Sequence, residues 1–200
     1  MRTSAESVTI ITGNPWHFVV HSTNRDLQMG NQQLTTNLTT PHNIATTAGT
    51  MATETAARKF FTSPFFAVVG ASSNPAKFVH AWYLEHGLNV TPVNPGSSSV
   101  SVGGQEYATV PDLSGLPSPK QTSVSIITAP PVTVKVLEEA KKIGIPVIWL
   151  QPGTFDDAVL KLALEQGAFE SVVYGDGGRG HDGWCVLVDG ERAMKEAGKL

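Results

Sequence analysis

Apolar residues in this chain gather in short unbroken runs, and a stretch of helical periodicity separates most runs from the next. Phe65-Phe66-Ala67-Val68-Val69 predicts a buried strand, with a short lead-in helix before it at 56–61. A helix is expected over roughly 75–86, with Phe78, Val79, Trp82 and Tyr83 on one face. Strand Leu88–Val93 follows, and further on strand Val124–Thr128. A helix from Pro131 would share Val136, Leu137, Ala140 and Ile143 on one side, ahead of strand Pro146–Leu150. The next helix is expected to start at Thr154, with Asp157 completing a capping-box-like pair. Its stripe is Phe155, Ala158, Val159, Leu162 and Ala163, and strand Ala168–Val173 comes after it. Gly87, Gly144 and Gly167 punctuate these units, because glycine takes the left-handed C′ conformation cheaply and lets the chain turn back into a sheet. Strands that are apolar throughout and alternate with helices imply a parallel sheet covered on both faces. The expected fold is α/β: a doubly wound, parallel five-stranded sheet with helices on both faces.

Composition changes this picture only at the front. Residues 1–50 are rich in Thr, Asn and Gln and carry Arg2, Glu6, Arg25 and Asp26 as their only charges. They read as a low-complexity, disordered extension ahead of a single domain over 51–200, with Met51 resembling a natural start. A mitochondrial presequence is the alternative for this segment, since acids are scarce; otherwise a cytoplasmic location is expected. The net charge of −3, with no basic run, speaks against nucleic acid, and no apolar stretch is long enough to span a bilayer. The single cysteine, Cys185, cannot form an internal disulfide, which suits a reducing compartment.

In a doubly wound sheet, ligands sit beyond the carboxyl ends of the strands. Those ends are Gly70–Ser73, Asn94–Gly96, Thr128–Pro131 and Gln151–Gly153, all small, polar or proline-rich. At Gly70 a close backbone approach is possible. Asn74 as cap and Pro75 as first helical residue would aim unpaired N–H groups at a phosphate. A dinucleotide fingerprint would need G-x-G-x-x-G here and an acid at the end of the second strand. Only the first glycine is present, and Asn94-Pro95 stands where the acid would be. No Walker loop occurs.

Val69-Gly70-Ala71-Ser72, Lys77-Phe78, Val93-Asn94-Pro95, Thr128-Ala129-Pro130-Pro131 and Gln151-Pro152-Gly153, in this order, resemble the small stand-alone CoA-binding proteins. These are similar in turn to the N-terminal domain of the succinyl-CoA synthetase α subunit. The resemblance covers roughly 56–198 and implies a Rossmann-like domain with coenzyme A, or an acyl-CoA, lying across the strand ends. It implies that Gly70, Ala71 and Ser72 meet the CoA phosphates, with Lys77 as a basic partner. Val93, Asn94 and Pro95 would lie beside the adenosine part, Thr128, Ala129 and Pro130 would pack from the other side, and Gln151, Pro152 and Gly153 would close the crevice. Two departures stand out. There is no room for the synthetase's second domain with its phosphorylated histidine, and Ser97-Ser98-Ser99 replaces a lysine-bearing loop. The expectation is a non-catalytic or regulatory CoA-binding protein with a small-molecule CoA partner, no catalytic residues and no metal. The alternatives are an NAD(P)-dependent oxidoreductase with an atypical fingerprint, or a protein-interaction domain that has lost its ligand.

The remaining chemistry-bearing residues have plain readings. Cys185, in Trp184-Cys185-Val186-Leu187-Val188, reads as a small buried hydrophobe, or as a thiol near the thiol end of CoA. The glycine-rich loop 175–183 reads as a surface connection, or as a lid whose Arg179 reaches a phosphate; no apolar helix is expected directly after it. His17 and His21 are spaced four apart without a third ligand, and His80 and His86 do not share a helix face.

Overall fold

Five of the seven strands among the described residues lie parallel in one sheet. The computed structural model describes residues 53–74, 77–175 and 184–200. All of them fall within the compact unit Thr39–Leu200. The expectations for residues 1–50, for a start at Met51, for Pro75 as first helical residue, and for Arg179 and His181 lie outside the described residues. Helix α1 occupies 53–60. It is followed by β1 (Phe65–Val69), α2 (Val79–Glu85), β2 (Val90–Val93), β3 (Ser99–Val102) and β4 (Gln105–Ala108). Two short 3-10 turns then lead into β5 (Thr122–Ile126), α3 (Pro130–Ile143), β6 (Val147–Leu150), α4 (Asp157–Ala163), β7 (Ser171–Val173) and α5 (Val186–Glu196).

The sheet order is β2-β1-β5-β6-β7, with β1 paired in parallel to both β2 and β5. This is the expected doubly wound, Rossmann-like architecture. Strand residues alternate between two cores. Phe66 and Val68 of β1 and Val147 and Trp149 of β6 join Phe60, Phe61, Trp82, Tyr83, Val186 and Met194 on the side of α1, α2 and α5. Ala67 and Val69, with Val124, Ile126, Ile148 and Leu150, meet Leu137, Ala140, Val159 and Ala163 on the side of α3 and α4. Burying both faces explains why the strands read as continuous apolar runs. The glycine breaks hold: Gly87, Gly144 and Gly167 all have positive φ, and Gly144 is the left-handed C-cap of α3. Among the described residues no helix is long and apolar enough to cross a membrane.

Several local expectations need correction. Helix α2 begins at Val79, with Phe78 as its N-cap and no side-chain cap. Asn74 instead closes a turn, its carbonyl accepting from Lys77 N at 2.9 Å. Phe78 does not join the buried face but is 56% exposed. Helix α4 begins at Asp157, and its cap is Asp156, whose Oδ1 accepts from Val159 N at 3.0 Å. Ala158 is exposed there, and Thr154 is buried, donating to the Gln151 carbonyl at 2.7 Å. Three strands are displaced by two or three residues: β2 and β7 start at Val90 and Ser171, and β5 runs Thr122–Ile126. Two elements were not expected at all. The antiparallel hairpin β3–β4 grows from the connection after β2, with Ser99 opposite Ala108 and Val102 opposite Gln105. Helix α5 follows soon after the glycine-rich loop, where no apolar helix was expected.

Candidate functional site

The strand order fixes where a crevice can open. From β1 the chain moves to β2 on one side, then crosses to β5 on the other, so the switch point lies between the carboxyl ends of β1 and β5. Gly70 stands there with φ 93°, a conformation that L side chains rarely adopt. A Cβ at this position would also lie 3.0 Å from Thr128 Cγ2 and 3.1 Å from Ile127 Cγ1. Glycine is therefore required by the neighbouring strand end, whatever the ligand. Its N–H donates to the Val93 carbonyl at 3.0 Å, and Ile127 N donates to Val69 O at 3.0 Å, which ties three strand ends together.

Asn94 is the brace of this corner. Its Nδ2 donates to the Ala71 carbonyl at 2.8 Å, and its Oδ1 accepts from Gly96 N at 2.8 Å. The amide at the position where a dinucleotide fold carries an acid thus joins the first loop to the second. Ala71 itself is fully buried. Ser72 Oγ accepts from Asn74 N at 3.2 Å, and Ser73 Oγ accepts from Ser101 N at 2.9 Å, fastening the loop to the hairpin.

Two open grooves flank the brace. One, of about 420 Å³, runs between this loop and the hairpin; Ser72, Lys77, Phe78, Glu85 and the tip Gly103-Gly104 line it. The other, also about 420 Å³, is lined by Asn94, Pro95, Gly96, Ser97, Ser98 and Thr109. Both fall in the size range of small-molecule sites. Lys77 is exposed, so its ammonium is free to reach a phosphate, while Glu85 gives the far side of that groove an acidic character.

The other expected residues lie further along the same edge. Val93 is buried beneath the second loop. Thr128 Oγ1 lies 2.9 Å from Thr133 Oγ1, which also donates to the Thr128 and Ala129 carbonyls, so this loop is cinched onto the first turn of α3. Ala129 is the N-cap of α3 and Pro130 its first residue, where a missing N–H costs nothing. Gln151 is buried with both amide atoms engaged: Nε2 donates to Ser125 Oγ at 3.0 Å and Oε1 accepts from Val186 N at 3.0 Å. Pro152 and Gly153 form the turn beyond it, with Gly153 at φ 83°. The switch point therefore brings together Gly70–Ser72, Val93–Pro95 and Thr128, with Lys77 at the adjacent groove. Gln151 stands one strand further out and works inside the protein.

Beneath this edge, on the aromatic side, lie polar groups that the sequence did not single out. Tyr83 is wholly buried and its hydroxyl has no hydrogen-bond partner. Burial pushes its pKa far up, the neighbouring Ser125 pulling against this and Cys185 adding to it. His80 is buried with both ring nitrogens unpartnered, edge-on to Tyr107 of the hairpin at 5.6 Å. Desolvation lowers its pKa to about 4, so it is neutral near pH 7. Cys185 is half-buried at the N-cap of α5 rather than sealed in the core. Its N–H donates to Asp189 Oδ2 at 3.0 Å, and the Trp184 carbonyl accepts from Trp149 Nε1 at 3.1 Å. The readable signal for this cluster was Ser123 and Ser125, which alternate with Val124 and Ile126 along β5. Among the described residues no group of three or more His, Cys, Asp and Glu could hold a metal ion.

Comparison with known proteins meets this geometry. A family model described as a CoA binding domain matches residues 65–174, from the first residue of β1 to just past β7. The chain belongs to this CoA-binding domain family. A hypothetical protein from Pyrococcus horikoshii OT3 is 29% identical, with a TM-score of 0.57 over 71% of this chain and 92% of its own. Prb, a protein redesigned for binding, is 26% identical, with a TM-score of 0.56 over 74% of this chain and 94% of its own. A Thermus thermophilus protein shares the fold at 23% identity and a TM-score of 0.54, covering 70% of this chain and 98% of its own. No curated protein matches the chain.

Proposed function

We propose that this CoA-binding domain holds coenzyme A or an acyl-CoA across its strand ends as a non-catalytic or regulatory module. The phosphates rest against Gly70, Ala71 and Ser72 with Lys77 as their cation. The adenosine part lies beside Val93, Asn94 and Pro95, and Thr128, Ala129 and Pro130 pack from the far side of the switch point. Gln151, Pro152 and Gly153 bound the crevice, Gln151 from within. The observation that carries this reading is the family match, which spans every strand of the sheet and so includes the switch point with its open Ser72–Lys77 groove. The absence of an acid at Asn94, whose amide is engaged in bracing, weighs against a nicotinamide dinucleotide in the same place.

The test is thermal unfolding of the full chain with CoA, acetyl-CoA and NAD. A ligand at 100 times its dissociation constant adds about 2.7 kcal/mol of stability, which raises the midpoint by several degrees in a domain of this size. CoA or acetyl-CoA should produce that shift, and NAD should not. No shift with any CoA species at millimolar concentration would overturn the proposal. Lys77→Glu should weaken CoA binding; unchanged affinity would remove Lys77 from the site.

A further inference from the structure

The hairpin β3–β4 stands apart from the main sheet, its two strands forming a small sheet of their own. Its base is anchored to the edge strand β2. Val110 N donates to the Pro92 carbonyl at 3.1 Å, and Asn94 N donates to the Val110 carbonyl at 2.9 Å. Beyond that base the hairpin lies over α2. Val100 is buried in the aromatic core, and Tyr107, its partner across the two strands, packs against the same core. Ser101 N donates to Ser73 Oγ at 2.9 Å, which fastens β3 to the first strand-end loop. The hairpin is one wall of both grooves at this edge. Ser101, Val102 and the tip Gly103-Gly104 face the Ser72–Lys77 groove, and Thr109 lines the Asn94–Ser98 groove. Whatever moves the hairpin therefore opens both.

Beneath it lies His80. Its ring meets the Tyr107 ring edge-on at 5.6 Å, the residue is 1% exposed, and neither ring nitrogen has a hydrogen-bond partner. A neutral imidazole carries one N–H donor and one bare acceptor, and burying both unpaired is costly. An apolar residue would fill the same space without that cost. The titratable and charged groups around the ring are Lys77 ahead of α2, Tyr83 and Glu85 on α2, and Glu106 and Tyr107 on the hairpin; β1, β2 and the loop 71–74 carry none. None of these groups is a hydrogen-bond partner of the ring. Lys77 and Glu85 line the groove outside, and Glu106 is exposed. Under the hairpin His80 resists a proton, its pKa lowered by burial to about 4; uncovered, it would titrate at its ordinary 6.5. A proton therefore favours the uncovered state, and the cover is the hairpin.

We propose that the β3–β4 hairpin is a pH-sensitive flap over the strand-end grooves, latched shut by Tyr107 on His80 and by Ser101 on Ser73, and that protonation of His80 releases it. Charging the ring beneath a closed flap would bury an unpaired cation, so the flap lifts and lets water solvate it. The base at Pro92, Asn94 and Val110 holds, and the five-stranded sheet stays folded. With the flap lifted, both grooves lose a wall and ligand affinity falls. That last step rests on the reading that CoA occupies these grooves; the motion of the flap does not.

The experiment is amide hydrogen exchange of the full chain at pH 7 and pH 5, corrected for intrinsic rates, with calorimetric CoA titrations at both values. Opening should be favoured about 25-fold more at pH 5 than at pH 7, and the amides of 99–108 should exchange faster by that factor. Amides of β1, β5 and β6 should keep their protection. His80→Leu, which cannot be charged, should hold the hairpin rates equal at the two pH values. CoA affinity should fall severalfold more between pH 7 and pH 5 in the natural chain than in His80→Leu, a comparison that cancels the titration of the CoA phosphates. Hairpin rates that do not change with pH, or that rise together with those of the central strands, would overturn the flap; the natural chain alone decides this if His80→Leu does not fold. The same acceleration in His80→Leu would overturn it too. A moving hairpin with equal affinity losses in both proteins would overturn control of the site and spare the CoA reading. No CoA binding at pH 7 would overturn that reading and the control built on it, while the exchange rates still decide the flap.

Discussion

The two sides of the sheet are built from different materials. On the α3–α4 side the buried hydrophobic cluster is aliphatic, from Ala67 and Val69 to Leu137, Ile148, Leu150 and Val159. On the α1–α2–α5 side Phe60, Phe61, Phe66, Tyr83 and Trp149 pack ring against ring, for example Phe60 on Trp149 at 5.3 Å and nearly perpendicular. Buried polar groups also concentrate there. Ser123 Oγ donates to the Phe60 carbonyl and pairs with Ser63 Oγ, and the orphan atoms of His80 and Tyr83 face the same core. The buried hydroxyls of the aliphatic side, Thr122 and Thr133, are both hydrogen-bonded. On the proposed reading, the layer that keeps unpartnered polar atoms is the floor of the site. The comparison assigns stability to one face and, on the proposed reading, recognition to the other.

The largest effects should come from paired truncations on the two faces. Trp149→Ala is expected to cost about 3–5 kcal/mol and Leu137→Ala about 2–5 kcal/mol, as large-to-small changes at fully buried positions do. The faces should separate in binding, since Trp149 Nε1 holds the Trp184 carbonyl at the entry to α5. Trp149→Ala should weaken CoA binding as well as stability, and Leu137→Ala should lower the unfolding midpoint alone. Denaturant unfolding combined with CoA titration reads both, and equal binding losses would erase the distinction.

A pH series probes the aromatic face next. His80 has a folded pKa of about 4 against an ordinary 6.5, so between these values the unfolded chain binds a proton that the folded chain does not. Stability is therefore unaffected above pH 6.5, falls as pH drops toward 4, and loses about 3 kcal/mol from this residue at the bottom of that window. His80→Leu should be near neutral at pH 7 and should flatten this part of the profile. Thermal unfolding from pH 7 to 4.5 measures it, and parallel profiles for the two proteins would refute the assignment.

Gly190→Ala is expected to cost about 1–3 kcal/mol, because its methyl would overlap the Trp82 ring and force the α2–α5 pair apart. The smallest effect belongs to the aliphatic side's surface. Lys141 and Glu165 pair at 2.7 Å with both side chains largely exposed, and Lys141→Ala should change stability by less than about 1 kcal/mol.

How much of this was legible in the sequence follows from the same contrast. The strands could be read because burial on both faces made them continuous apolar runs, and the helix ends could be read because Gly87, Gly144 and Gly167 supply the left-handed turn. The hairpin β3–β4 could not. Ser99-Val100-Ser101-Val102 alternates, but it follows two further serines and buries only Val100 fully, so it looked like a loop. Helix α5 was hidden because its core-facing positions include Gly190, which is small only because Trp82 presses on it. The expected strand-end residues lie along the carboxyl edge of the sheet, yet their bonds within the fold were not visible. Nothing in Asn94 or Gln151 as letters says that one braces two loops and the other anchors α5, because those bonds depend on backbone atoms brought in by the fold.

The most direct test of the central claim is an amide chemical-shift map of the full chain titrated with CoA. Saturable shifts are predicted at 70–73, 94–98 and 127–129, the three loops around the switch point, with little change at the opposite edge around Thr62 and Ser171. Shifts confined to that opposite edge, or none at saturating CoA, would contradict the account.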